Sequence, residues 1–135
     1  MTPERKELTT KLDHLFADYI KHRDGHICQR CGKLVTGLYA HCSHVIPKSR
    51  GIIYRWEPCN AKLLCWLCHG GWWHMNPLTR EIWFQEMFPE RWKVIERLKK
   101  EPLIRYSDED LLTIMTCLTV AMHELPPEPE EELPF

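Results

Sequence analysis

No stretch of the 135 residues approaches the roughly 18 consecutive apolar side chains that a membrane-crossing helix needs, so none is expected. Met1 to Lys11 lacks the apolar run of a secretory signal, and a cytoplasmic location is the expectation that follows. No internal repeat is present. An even cysteine count is also missing. Seven cysteines in such a chain argue against a disulfide framework and for metal binding, and eight histidines point the same way. Charge excess is absent too, the net value being −1. Its distribution is uneven, however. Residues 21–62 carry eight Lys or Arg against Asp24 and Glu57, whereas residues 101–135 carry nine acids against Arg105. A basic middle with an acidic end suits a polyanion-binding site with a solubilising or masking tail, although uneven surface charge alone does not decide it.

What is present is mostly helical pattern around a short irregular middle. Thr2-Pro3-Glu4 reads as a helix start, and Leu8, Leu12, Leu15, Phe16, Tyr19 and Ile20 recur at helical spacing. This predicts a helix over 3–22, ended by Asp24-Gly25. Within 26–64, Leu34-Val35 and Leu38-Tyr39 flank Thr36-Gly37 as a small hairpin, His41 to Ile46 reads as a strand, and Gly51 to Tyr54 as a second strand or loop. A helix is expected to begin within Trp66 to Trp73, and another at Asn76-Pro77 with Asn76 as cap. Trp92, Ile95 and Leu98 extend helix to about Lys100. Ser107 and Asp110 resemble a capping box ahead of a last helix to 123. Residues 126–135, rich in Pro and Glu, are expected to be a disordered acidic tail.

Cys28-Gln29-Arg30-Cys31 and Cys65-Trp66-Leu67-Cys68 are two Cys-x-x-Cys knuckles. Four thiolates fill a tetrahedral zinc shell and leave no open position, so a zinc bound there is expected to be structural. Buried free thiols and a redox Cys-x-x-Cys are the rival readings, and the matched pair of knuckles argues against both. Cys42, Cys59 and Cys117 are left as small buried hydrophobes.

Between and beside the knuckles lie His44-Val45-Ile46-Pro47, Asn60, and Leu64-Cys65-Trp66-Leu67-Cys68-His69. Over about residues 20–75 these pieces, in this order, resemble the HNH endonucleases. Tyr19-Ile20-Lys21-His22-Arg23-Asp24 ahead of the first knuckle is further similar to phage recombination nucleases of the NinG type. The resemblance implies an α+β fold: a small zinc-stapled ββα-metal core with flanking N- and C-terminal helices. One domain then spans 1–125, with the N-terminal helix 3–22, the zinc/HNH core 26–75 and C-terminal helices 76–123. It also implies metal-dependent hydrolysis of DNA phosphodiester bonds, giving 5′-phosphate and 3′-hydroxyl ends. His44 is of the residue type suited to deprotonate a water near neutral pH. His69 would hold a catalytic Mg²⁺ or Mn²⁺, and Asn60 would orient the His44 ring or pin the loop between the motif strands. Many members carry Asp or His just before the general base as a second ligand, but this chain has Ser43. His41 is the substitute, and His74 a further candidate. Residues 41 and 44 fall on opposite faces of a strand, so both reach one site only if that strand is bulged or ends between them.

Lys48, Arg50 and Arg55 flank this region and are read as phosphate contacts, their bland alternative being a solvated loop. Trp72 and Trp73 could stack on bases, although core packing is the other use of such rings. The apolar helix 107–123 either packs on the N-terminal helix or offers a homodimer face. The expectation is a DNA endonuclease, nonspecific or structure-selective and phage- or prophage-related. A non-catalytic zinc module that binds nucleic acid or protein is the alternative.

Overall fold

The computed structural model describes residues 2–127, so the tail expected from 126 lies almost wholly outside the described residues. Helix α1 (Pro3–Arg23) starts as its sequence demands: the Thr2 hydroxyl accepts from the Arg5 N–H at 3.1 Å, and Pro3 occupies the first turn. Leu12, Phe16 and Ile20 form its buried stripe. Gly25 (φ 65°) turns the chain out of the helix in the left-handed region open to glycine. The residues just before that turn fasten α1 to the core. Asp24 accepts from the Leu63 N–H at 2.8 Å, and the Arg23 guanidinium reaches the carbonyls of Pro58 and Ala61 at 2.6 and 2.8 Å.

Strands β1 (Ala40–His44) and β2 (Ala61–Cys65) pair antiparallel, with Ser43 opposite Lys62 and His44 opposite Ala61. Two local expectations fail here. The hairpin at Thr36-Gly37 does not form: Gly37–Tyr39 is a 3₁₀ turn, and Leu34 bridges back to Ile27. The first knuckle is itself the turn, because Cys28 N–H bonds the Lys33 carbonyl and Val35 N–H the His26 carbonyl. Gly51 to Tyr54 gives no strand; Ile52–Arg55 is the short helix α2. The second strand is instead β2, buried along its whole length and so lacking the alternation that marks a half-exposed strand.

A π-helix, Leu67–Trp73, follows β2, and then α3 (Thr79–Met87), α4 (Pro89–Lys99) and α5 (Asp108–Glu124). Asn76 does not cap α3. Its amide donates to the Trp72 carbonyl at 2.9 Å, which also accepts from the Met75 N–H at 3.2 Å. The Ser107–Asp110 capping box is present, and Arg5 ties the start of α5 to α1 through Asp108 and the Tyr106 carbonyl.

Two cores result. Leu12, Phe16 and Ile20 of α1 pack with Trp56, Ala61 and with Leu111 and Leu118 of α5. Leu63, Leu64, Val45, Trp73, Phe84 and Ile95 form the other, between the strands and the helices after them. Each such large side chain stabilises by about 1.5–3 kcal/mol relative to exposure. The strands, and the site at their end, are therefore gripped from both sides. Among the described residues no helix is long and apolar enough to cross a membrane.

Candidate active site

The Sγ atoms of Cys28, Cys31, Cys65 and Cys68 all lie within 4.8 Å of one another. Four sulfurs around a tetrahedral ion at ~2.3 Å stand ~3.8 Å apart, and Cys31 Sγ to Cys65 Sγ is 3.8 Å. The donor set fits a structural metal such as zinc. Cys68 N–H donates to Cys65 Sγ at 3.4 Å, and Arg30 reaches Cys68 Sγ at 3.5 Å, although burial still pushes the Cys68 thiol up to about 12. Burial alone would raise the Cys28 thiol, but backbone donors from Cys31, Cys65 and Arg30 outweigh it and bring its pKa down to about 7.

The chain leaves the second knuckle as a π-helix, and this decides the histidine geometry. At 3.6 residues per turn, side chains five apart diverge by about 140°. With the i→i+5 bond from His74 N–H to the His69 carbonyl (3.1 Å), the two rings meet instead. Their centroids are 4.4 Å apart and their Nε2 atoms 3.1 Å. His41 lies beside this pair, its ring 5.1 Å from that of His69, but its Nε2 is bonded to the Leu38 carbonyl. Half-buried and close to His74, His41 and Lys62, His69 is pushed down to a pKa of about 4. Its Nδ1 is buried without a hydrogen-bond partner.

His44 stands at the end of β1, its ring 5.6 Å from that of Phe16. It lines a cleft of about 410 Å³ with Asp13 and Phe16 of α1 on one side and His69, His74 and Arg80 on the other. His41 is outside that lining. The strand is unbroken between 41 and 44, both residues being paired in register with β2. His44 Nε2 is 2.9 Å from the Arg55 carbonyl. A carbonyl only accepts, so Nε2 carries the proton and Nδ1 is the basic nitrogen. Burial lowers the His44 pKa and Lys48 and Lys62 add to that, while the Arg55 carbonyl and Asp13 oppose it.

Asn60 is fully buried and makes no bond to His44. Its amide oxygen accepts from Ile46 N–H at 2.8 Å, and its nitrogen donates to the carbonyls of Ile46 and Tyr54, both at 2.9 Å. It thus clips together the loop between the strands. Ser43 is also fully buried and accepts from Lys62 Nζ at 2.8 Å, on the face away from the cleft. Lys62 Nζ lies 2.9 Å from the centroid of the Trp73 ring. Burial pushes the Lys62 pKa well below the ordinary lysine value, Cys42 opposing and Arg80 adding.

Of the three cations read as phosphate contacts, Lys48 and Arg50 are exposed beside the cleft. The Arg55 guanidinium is engaged by Asp13, with N–O distances of 2.9 and 2.6 Å. Asp13, Lys62 and Arg80 did not stand out in the sequence. Lys62 could have been suspected as a lone charge inside the run Ala61 to Cys65; Asp13 and Arg80 carry no such signal.

Residues 28–71 match the HNH endonuclease family. No curated protein and no solved structure matches the chain. The HNH segment holds both knuckles, both strands, His41, His44, Asn60 and His69. It stops short of His74 and Arg80 and begins after Asp13, so part of the cleft wall comes from outside it.

Proposed function

We propose that this protein is a metal-dependent HNH endonuclease that hydrolyses DNA phosphodiester bonds. The observation that carries the reading is the convergence of His44, His69 and His74 on one cleft, beside a four-cysteine cluster, in a chain whose residues 28–71 match that family. His44 Nδ1 takes the proton from the attacking water, while the Nε2–H bond to the Arg55 carbonyl fixes the ring and the tautomer. His69 and His74 would hold the divalent ion, with the His41 ring packed 5.1 Å from that of His69. When bound, that ion offsets the negative charge that builds on the phosphate and the leaving oxygen. Imidazole donors suit a transition-metal ion better than Mg²⁺, which demands oxygen ligands, so of Mg²⁺ and Mn²⁺ the latter is the better match although it too favours oxygen. Asn60 keeps His44 and the following loop in register. Lys48 and Arg50 hold phosphate, which positions a strand without reading its sequence and supports nonspecific or structure-selective nicking. The Tyr19-to-Asp24 stretch before the first knuckle supports a phage- or prophage-related role of the NinG kind.

The deciding assay is nicking of supercoiled plasmid with Mn²⁺, with Mg²⁺ and without added divalent ion. Conversion to open circles with Mn²⁺, weaker with Mg²⁺ and absent without either, is the expected result. The rival reading, a non-catalytic zinc module, draws on Ser43, buried against Lys62 where many HNH enzymes carry a ligand. Zinc-loaded protein that nicks under no condition would favour it.

Asp13 acts on His44 through Arg55 and Trp56. Besides the Arg55 guanidinium it accepts from Trp56 Nε1 at 2.9 Å, so it holds the segment whose carbonyl orients His44. Asp13→Asn is expected to lower kcat by roughly tenfold or more. It should also move the acid limb of the pH–rate profile to lower pH, because the carboxylate charge opposes the depression of the His44 pKa. An unchanged acid limb, with the melting temperature falling in step with the rate, would mark Asp13 as merely structural.

A further inference from the structure

A second cleft, of about 480 Å³, adjoins the first, sharing Val45, Pro47 and Arg80 in its wall. We propose that it binds a backbone phosphate flanking the scissile one, gripped by Arg50, Arg80 and Lys99; the polynucleotide class of this ligand rests on the nuclease reading above. Three cations face one acid, Glu81, in that wall. The Glu81–Lys99 pair is long, 3.6 Å, and both side chains are about two-fifths exposed (42% and 41%). Such a pair contributes ~0–1 kcal/mol and yields readily to a phosphate. One Arg80 N–H is spent on the Trp73 carbonyl at 3.0 Å, which anchors the guanidinium at the junction of the two clefts and leaves further donors of its five. Arg50 is exposed on the loop after β1, within two residues of Lys48 at the mouth of the first cleft. A strand cut at His44 would therefore continue past Arg80 into a groove with the loop after β1 on one wall and Arg80, Glu81 and Lys99 of α3 and α4, outside the HNH segment, on the other. This assigns those helices a share in substrate binding as well as in the core.

The test is binding of a fluorescein-labelled duplex oligonucleotide over a range of KCl, without added divalent ion, so that no cleavage intervenes. Wild type is compared with Arg50→Ala/Lys99→Ala. The control is Lys93→Ala/Arg97→Ala, which removes the same charge from α4 away from the cleft. Each phosphate contact adds roughly 0.9 to the slope of log K against log salt. The cleft variant, which loosens one phosphate contact, is expected to lose roughly 0.9 from that slope, and the control less than half as much. Equal slopes in the two variants, or no duplex binding by wild type, would overturn the subsite. Plasmid nicking by wild type reports separately on the nuclease. Nicking with equal slopes sinks the subsite alone, whereas a slope difference without nicking sinks the catalytic reading and leaves a polynucleotide site.

Discussion

His44→Ala should lower the nicking rate by roughly two to four orders of magnitude, the range supplied by a positioned general base. It should do so without unfolding the protein. The side chain forfeits one hydrogen bond, to the Arg55 carbonyl, and its contact with Phe16, a loss of about 1–2 kcal/mol. Zinc content should be unchanged, since the four sulfurs lie on other segments. The wild-type pH profile supplies a second check. Burial depresses the His44 pKa below the ordinary 6.5, so the basic form persists into mild acid, and activity is lost only as pH falls through that lower value. The same depression affects stability. Below pH 6.5 the unfolded chain binds the proton more readily than the folded one, so this histidine makes the fold weaker as pH falls. His44→Ala should remove that contribution. A variant that nicks normally, or one that melts like a zinc-ligand variant, would sink the division between base and staple.

The fold was legible where local rules govern it. The first helix was readable from Thr2, Pro3 and a stripe at 3.6-residue spacing, and the last from Ser107 and Asp110, because capping chemistry is written in adjacent residues. The four-cysteine set was readable because knuckle spacing is itself the geometric requirement. The histidines were legible only one at a time. Helical periodicity separates His69 from His74; the π-helix brings them together, and nothing in the residues Leu67 to Trp73 announces that pitch. His74, the least secure of the three candidate ligands by sequence, consequently makes the closest contact with His69, and His41 is the one outside the cleft. The Arg55 side chain, read as a phosphate contact, is turned into the structure by Asp13, a partner 42 positions away. Its carbonyl, which no sequence pattern distinguishes, orients His44. Long-range pairings of this kind carry no periodic signature, and neither does a strand such as β2 that is buried on both faces.

Replacing Cys65 with Ser should have the largest effect on stability. Binding of a structural zinc to four such ligands contributes about 10–16 kcal/mol at neutral pH, and a whole domain is stable by only about 5–15. Losing one thiolate is thus enough to cost the fold of the middle of the chain. Cys65 ends β2 and is buried against Leu63 and Leu64, and β2 bridges the two cores, with Ala61 in one and Leu63 in the other. Unfolding should therefore reach beyond the knuckles to the contact between α1 and the strands, and the His69–His74 pair, which follows the second knuckle directly, should disperse. Calorimetry and zinc analysis would read the outcome: no cooperative transition near the wild-type temperature and less than one zinc per chain. A chelator strong enough to strip the wild type should reproduce it, exposing four further reactive thiols. Cys117→Ser is the matched control, because Cys117, contrary to the burial expected from its sequence, is exposed on α5 and free; its effect should stay within about 0.5 kcal/mol. If Cys65→Ser instead melted like Cys117→Ser, the four sulfurs would be neighbours by packing alone, and the site would have to be held by its two cores without a metal staple.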